Sequence, residues 1–277
     1  MPFAVPAAPP DVWAEAHQGR PERTWFRLPS RVVTFWIVEL QKLSHDRTEL
    51  FTRAVQPVLW LVIFGETFTK IHAIPTGHVP YLDFLAPGII AQSGLFVAIF
   101  YGIQIIWERD AGVLTKLLVT PTPRAALIIG KSFAAGIRAL AQVVVVLVLS
   151  AILGVALTGN PLAILGAFVV VMLGSAFFAC LSMTVAGIVL KRDRLMGIGQ
   201  MITMPLFFAS NALYPVRIMP GWLQALSRVN PLSYEVDALR HLLIGSPGHP
   251  GEDFGVLVVA VALGIVAASS LVARLAR

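Results

Sequence analysis

The chain has 277 residues, of which 57% are hydrophobic and 13% charged, with a mean hydropathy of +0.78. Soluble domains carry about 25% charged residues, so a soluble globular protein is excluded, and long uncharged runs along the whole length indicate a polytopic helical membrane protein. The net charge of +6 has a topological origin and does not point to nucleic acid, and the single cysteine, Cys180, excludes an internal disulfide.

Residues 1–29 hold six prolines and no apolar core of signal-peptide type, which predicts a flexible cytoplasmic tail. Residues 30–51 set an apolar side (Val33, Trp36, Ile37, Leu40, Leu43) against a polar one (Glu39, Lys42, Asp46, Arg47). They are too charged to span, so an interfacial helix is predicted, with Trp36 at the headgroups. A helix of a small cytosolic domain is the competing reading. The first span, 52–71, contains Gln56, Pro57 and Glu66 and has barely the roughly 20 residues a span needs. His72 and His78 in the loop after it are too few for a metal site, and no metal is expected.

The second span, 84–107, carries small or polar residues at Gly88, Gln92, Ser93, Gly94, Gly102 and Gln104, which favour close helix packing in a membrane. It stops at Glu108, Arg109 and Asp110. A short amphipathic helix over about 108–120 follows, with Val113, Leu114, Leu117 and Leu118 at helical spacing. Pro121 and Pro123 end it, because proline lacks the amide proton that a helix interior needs. A surface helix between two spans suits a site pushed by a soluble partner. A plain loop helix resting on headgroups has the same pattern.

The third and fourth spans, 133–157 and 162–190, are joined at Thr158-Gly159-Asn160-Pro161 as an antiparallel hairpin. Gly166, Gly174, Ser175 and Gly187 are packing or bending points in the fourth. Lys191, Arg192 and Arg194 mark a corner before the fifth span, 195–213, which Pro205 interrupts. Two short helices fill 218–245, the second with Asn230 as its cap and Pro231 at its first position. Their mixed polarity predicts a segment that dips partway into the membrane, sheltered by protein. Trp222 and Tyr234 suit an interface, and Asp237 and Arg240, three apart, can neutralise each other. The sixth span is 254–271.

With six spans, sixteen Lys and Arg residues fall on one side, and four (Lys70, Arg217, Arg228, Arg240) fall on the other. Positive residues favour the cytoplasm, which places both termini and the 108–131 loop there and the protein in the cell (inner) membrane. No phosphate loop of the GxxxxGK[ST] type occurs, so the chain itself is assigned no ATP hydrolysis and is not read as an enzyme. Spans two to six show almost no ionisable groups, and hence no proton relay. A transporter of this kind must borrow its energy.

The order of parts resembles the permease of type 2 ABC exporters, in particular the daunorubicin-resistance type of drug and lipid permease. Tyr81-Leu82-Asp83-Phe84-Leu85-Ala86-Pro87-Gly88 resembles that family's entry to its second span. Glu108-Arg109-Asp110-Ala111-Gly112 with Leu117 and Pro121 resembles its motif ahead of the coupling helix, with Val113 where the family has Thr or Ser. Asn230-Pro231-Leu232-Ser233-Tyr234 with Asp237 and Arg240 resembles its late Asn-Pro-x-x-Tyr motif. The resemblance implies two paired permeases, as a homodimer or with a sister subunit. It also implies two copies of a separate ATP-binding subunit that holds ATP and magnesium, with no cofactor in this chain. It implies coupling through Glu108, Arg109, Asp110, Gly112, Leu114, Leu117 and Leu118, and an outer gate at Trp222, Asn230, Pro231, Tyr234, Asp237 and Arg240. The substrate path would pass Gln92, Phe96, Phe100, Phe207, Phe208 and Asn211 and take an apolar or amphipathic molecule, moved outward. A channel or scaffold that needs no ATPase, or a membrane-embedded enzyme, is the alternative.

Overall fold

The computed structural model describes residues 52, 55–71, 74–77, 79–112, 114 and 124–275, and every regular element among them is helical. The predicted tail and interfacial helix, 1–51, lie outside the described residues, as do Leu117 and Leu118. Helix α1 runs through 55–71, with a π-helical turn at Trp60–Gly65 and an α-helical end at Glu66–Ile71. Helices α2 (Tyr81–Ile103) and α3 (Ile105–Asp110) form one rod broken only at Gln104. Then follow α4 (Arg124–Ile152), α5 (Pro161–Val189), α6 (Arg192–Phe208), α7 (Gly221–Val229), α8 (Pro231–Ile244) and α9 (Pro250–Leu275).

Among the described residues four helices are long and apolar enough to cross a membrane: Tyr81–Asp110, Ala125–Ile152, Pro161–Val189 and Pro250–Val272. They correspond to the second, third, fourth and sixth expected spans. Several ends differ from expectation. The third span begins at Arg124, not 133, because the polar stretch before Phe133 is apolar on the face it turns inward: Ala126, Leu127 and Ile128 are buried. It stops at Ile152, short of 157, where Gly154 takes a positive φ of 82°. Where the fifth span was expected over 195–213, the helix runs from Arg192 to Phe208 and is not among these four. Pro205 leaves the last turn without its amide donor, and the chain bends through Ser210–Tyr214. The sixth extends to Pro250 and Leu275.

The local chemistry of the ends is plain. Asn160 and Asn230 each accept a hydrogen bond from the amide two residues on, at 3.0 and 3.1 Å, with proline at the first helical position after each. Leu190 and Gly245 close α5 and α8 in the left-handed conformation.

Helices α2 and α5 form the centre, each packed against α4 and α8, with α9 on the far side of α5 and α1 and α6 against α2. The glycines of α5 are packing points, not bends, because the helix runs unbroken past them. A Cβ at Gly102 would stand 2.7 Å from the Ala179 carbonyl oxygen, so the two central helices touch backbone to backbone there. Ser182 donates to the Ile99 carbonyl across the same contact, at 2.6 Å. Glycine and alanine lose no rotamer freedom when such a contact forms, which is why small residues mark it.

Helix α8 enters this centre from the end of the bundle that carries Tyr81. Its Leu242 packs on Gly166, and its Glu235 reaches Gly174 and Gly94. From Tyr81 to Gly94, and from Pro161 to Gly174, is about 20 Å of helix. The tip of the α7–α8 hairpin, Asn230, is buried and donates to the Leu206 carbonyl at 2.7 Å.

Candidate functional site

Two polar clusters occupy opposite ends of the α2–α3 rod, and a cavity lies beside its middle. At the Tyr81 end, Tyr81 donates to the Leu213 carbonyl at 3.2 Å, and the Asp83 carboxylate accepts from the Ala156 amide at 3.2 Å. Arg240, 6% exposed, donates to the carbonyls of Asn211 (2.7 Å) and Phe84 (3.3 Å) and pairs with Asp237 at 3.5 Å. Asn211 in turn donates to Asp237 at 2.6 Å. Gly88 lets the Ser210–Tyr214 segment lie on α2: a Cβ there would meet the Ala212 carbonyl oxygen at 2.3 Å. The expected pairing of Asp237 with Arg240 is therefore present, but Arg240 is enclosed by carbonyls, not set at an edge. A buried guanidinium is tolerated because its donors are all turned to acceptors.

The remaining residues expected at the outer gate divide. Asn230 caps α8 and Pro231 opens it. Tyr234 donates to the Arg228 carbonyl at 2.7 Å, which ties α8 back to α7. Trp222 stands apart, 66% exposed.

At the Asp110 end, Glu108 pairs with Lys131, which belongs to α4 and is buried, not part of an open loop. Arg109 donates to the Leu190 carbonyl at 3.1 Å, at the left-handed end of α5, and pairs with Asp110 at 2.8 Å. Arg192, at the start of α6, lies over the Trp107 ring at 5.2 Å. Four helices are thus pinned together here. Of the helix expected over 108–120, residues 108–110 finish the rod and Gly112 turns the chain with φ 72°, while 113 and 115–120 lie outside the described residues. Leu114, expected among the coupling residues, is fully buried in the chain's own core.

Of the residues expected on the substrate path, Gln92, Phe96 and Phe100 line one cavity with Gln56 and Gln142. Phe207 does not join them. It is fully buried against Trp60, at 5.6 Å between ring centres, while Phe208 is 43% exposed and Asn211 belongs to the Tyr81 cluster.

Glu235 is the residue that sequence reasoning missed. Its carboxyl is fully buried against Gly174, with no hydrogen-bond partner among the described residues. It stands three residues after Leu232 and four before Leu239, on the apolar face of α8, and that placement was a readable signal. An ionisable group at this depth is a mark of function in membrane proteins. No cluster of three metal-ligating side chains occurs among the described residues.

Comparison with known proteins agrees with these motifs. Residues 31–244 match the family model described as ABC-2 type transporter. The chain is 30% identical over 205 residues to a protein of Cyanophora paradoxa named as a transport permease, ycf38, covering 73% of this chain and 70% of the relative. It is 26% identical over 228 residues to a daunorubicin resistance ABC transporter permease protein of Streptomyces coeruleorubidus, covering 82% and 79%. It is 27% identical over 221 residues to nodulation protein J of Rhizobium leguminosarum bv. viciae, covering 79% and 84%.

Proposed function

This chain belongs to the ABC-2 type transporter family and is a membrane permease of an ABC transporter, and on that premise we propose that it is the transmembrane subunit of an ATP-driven exporter. Permeases of this family work with an ATP-binding ABC subunit. In this reading two copies of that subunit, which hold ATP and magnesium, act on a pair of permeases. An apolar or amphipathic substrate, a drug, lipid or glycolipid, moves outward. Relatives named for resistance to daunorubicin and doxorubicin support that substrate class. Six spans follow if α1 and α6 cross beside the four longer helices, with both termini cytoplasmic as the positive charges require.

The observation that carries the reading is the α2–α3 rod, which has a pinned polar cluster at each end. A push delivered near Gly112 reaches α4, α5 and α6 through Glu108, Arg109 and Trp107. The same rod carries it to the α7–α8 hairpin, which acts as the outer gate. With Leu114 occupied internally, docking to the ATPase falls to Leu117 and Leu118.

The test is co-expression with an ATP-binding ABC subunit from the same organism, chosen by co-purification, followed by reconstitution in vesicles. ATP-dependent accumulation of a fluorescent amphipathic cation inside inverted vesicles is expected. Leu117→Asp places a charge in an apolar contact and should lose ATPase association while the chain still inserts. Flux that ignores ATP, with normal assembly in that variant, would instead support a channel or scaffold.

A further inference from the structure

Between α1, the middle of α2 and α4 lies a cavity of about 160 Å³. Its lining is apolar at Phe96, Val97 and Phe100 and polar at Thr52, Gln56, Ser93 and two amides, Gln92 and Gln142, each 2% exposed. Neither the oxygen nor the nitrogen of either amide has a hydrogen-bond partner among the described residues. Buried amides are normally satisfied, so two that face one cavity with all their capacity open imply a ligand that satisfies them.

Depth and chemistry narrow the ligand. Gln92 lies about 16 Å along α2 from Tyr81, and Gln142 about 15 Å along α4 from Ile152, so both sit near mid-bundle. Among the described residues no charged side chain lines the cavity. Arg138, one turn before Gln142, is engaged over the Tyr101 ring at 5.1 Å. An ion would therefore enter without a counter-charge, which burial penalises heavily. An amide offers both a donor and an acceptor. Cavities of about 150 Å³ take a molecule the size of benzene.

We propose that Gln92 and Gln142 form a subsite for one uncharged, ring-sized group bearing a hydroxyl or carbonyl, carried on an apolar body that packs against Phe96, Val97 and Phe100. The subsite's role as part of the transport path rests on the export reading above; the binding itself does not.

The full chain in lipid nanodiscs is titrated with 4-octylphenol, octylbenzene and 4-octylbenzenesulfonate at matched membrane concentrations, and the unfolding midpoint is followed. Saturable stabilisation by 4-octylphenol alone is expected. Gln92→Leu and Gln142→Leu should each weaken it by roughly tenfold, the worth of one good buried hydrogen bond. Without ligand, neither variant should lower the midpoint, because each removes an unpaired amide of similar shape. If both lower it and the double variant restores it, the amides serve each other and the subsite is overturned. Equal stabilisation by octylbenzene, or binding unchanged in both variants, overturns it as well. Binding without ATP-driven transport would keep the subsite and sink the export reading, and transport that ignores both variants would keep the export reading and take the subsite off the transport path.

Discussion

The guanidinium of Arg240 lies 3.6 Å from the centre of the Phe84 ring and donates to the Phe84 carbonyl, 156 residues away in sequence. A cation enclosed by an aromatic face and backbone carbonyls holds the α7–α8 hairpin to the central rod.

Arg240→Ala should therefore be among the most destabilising single changes, at about 3–5 kcal/mol, because it leaves buried acceptors without a donor. Arg240→Lys should recover only part, since a lysine lacks the planar fork that serves several carbonyls at once. Asp237→Asn should cost much less, because the Asp237 side chain is half exposed at 49%. The check is the thermal midpoint of detergent-solubilised protein by fluorescence-detected chromatography. An Asp237→Asn loss equal to that of Arg240→Ala would contradict the assignment.

Gly88→Ala should destabilise by about 1–3 kcal/mol, since the new methyl meets a backbone carbonyl that cannot swing aside. Gly197→Ala, with open space around the site and an ordinary helical backbone, should be neutral or slightly stabilising. The pair compares the two positions in one assay.

Gly174 and Glu235 should be coupled. A Cβ at Gly174 would stand 2.1 Å from a Glu235 carboxyl oxygen. Gly174→Ala alone should lower stability, and Glu235→Ala should rescue much of that loss, for an interaction energy of about 1 kcal/mol or more. Additive losses would show that α8 does not seat its carboxyl where the structure places it.

Lys131→Met should cost about 1–3 kcal/mol, because it strands the partly buried Glu108. Glu108→Gln/Lys131→Met together should be milder than the sum of the two. Assembly with the ATP-binding subunit, measured by co-purification, should fall with the single variant and recover in the double.

Cysteines placed at Asn160 and Arg194, in a chain with Cys180 replaced, should react from opposite sides of the membrane, because α5 separates them. Labelling of both by one impermeant reagent would exclude a spanning α5.

The sequence made the long apolar helices legible, along with the Asn160 and Asn230 caps, because these depend on local composition and on the first turn's own donors. Span ends were less legible. Lys131 looked like loop because it is charged, yet its partner Glu108 lies 23 residues earlier and only folding brings the two together. Glu235 and Gln142 were passed over for a related reason. Each is a lone polar residue on an apolar face, and sequence distance hides the glycines and the cavity that make room for it. The role of Asp83, which accepts from the Ala156 amide, was likewise invisible, because a backbone amide leaves no trace in residue type.

The Tyr81 cluster also sets where this chain can be cut and joined. Segment 81–88 supplies the ring, the carbonyl and the missing Cβ that 210–214 and 237–240 require, and Asp83 holds the loop before α5. Hybrids made with a related permease should therefore fold only when these pieces come from the same parent. A crossover placed between Gly88 and Asn211 would pair surfaces that never matched, whereas one placed after Gly245 would leave the whole lock with a single parent.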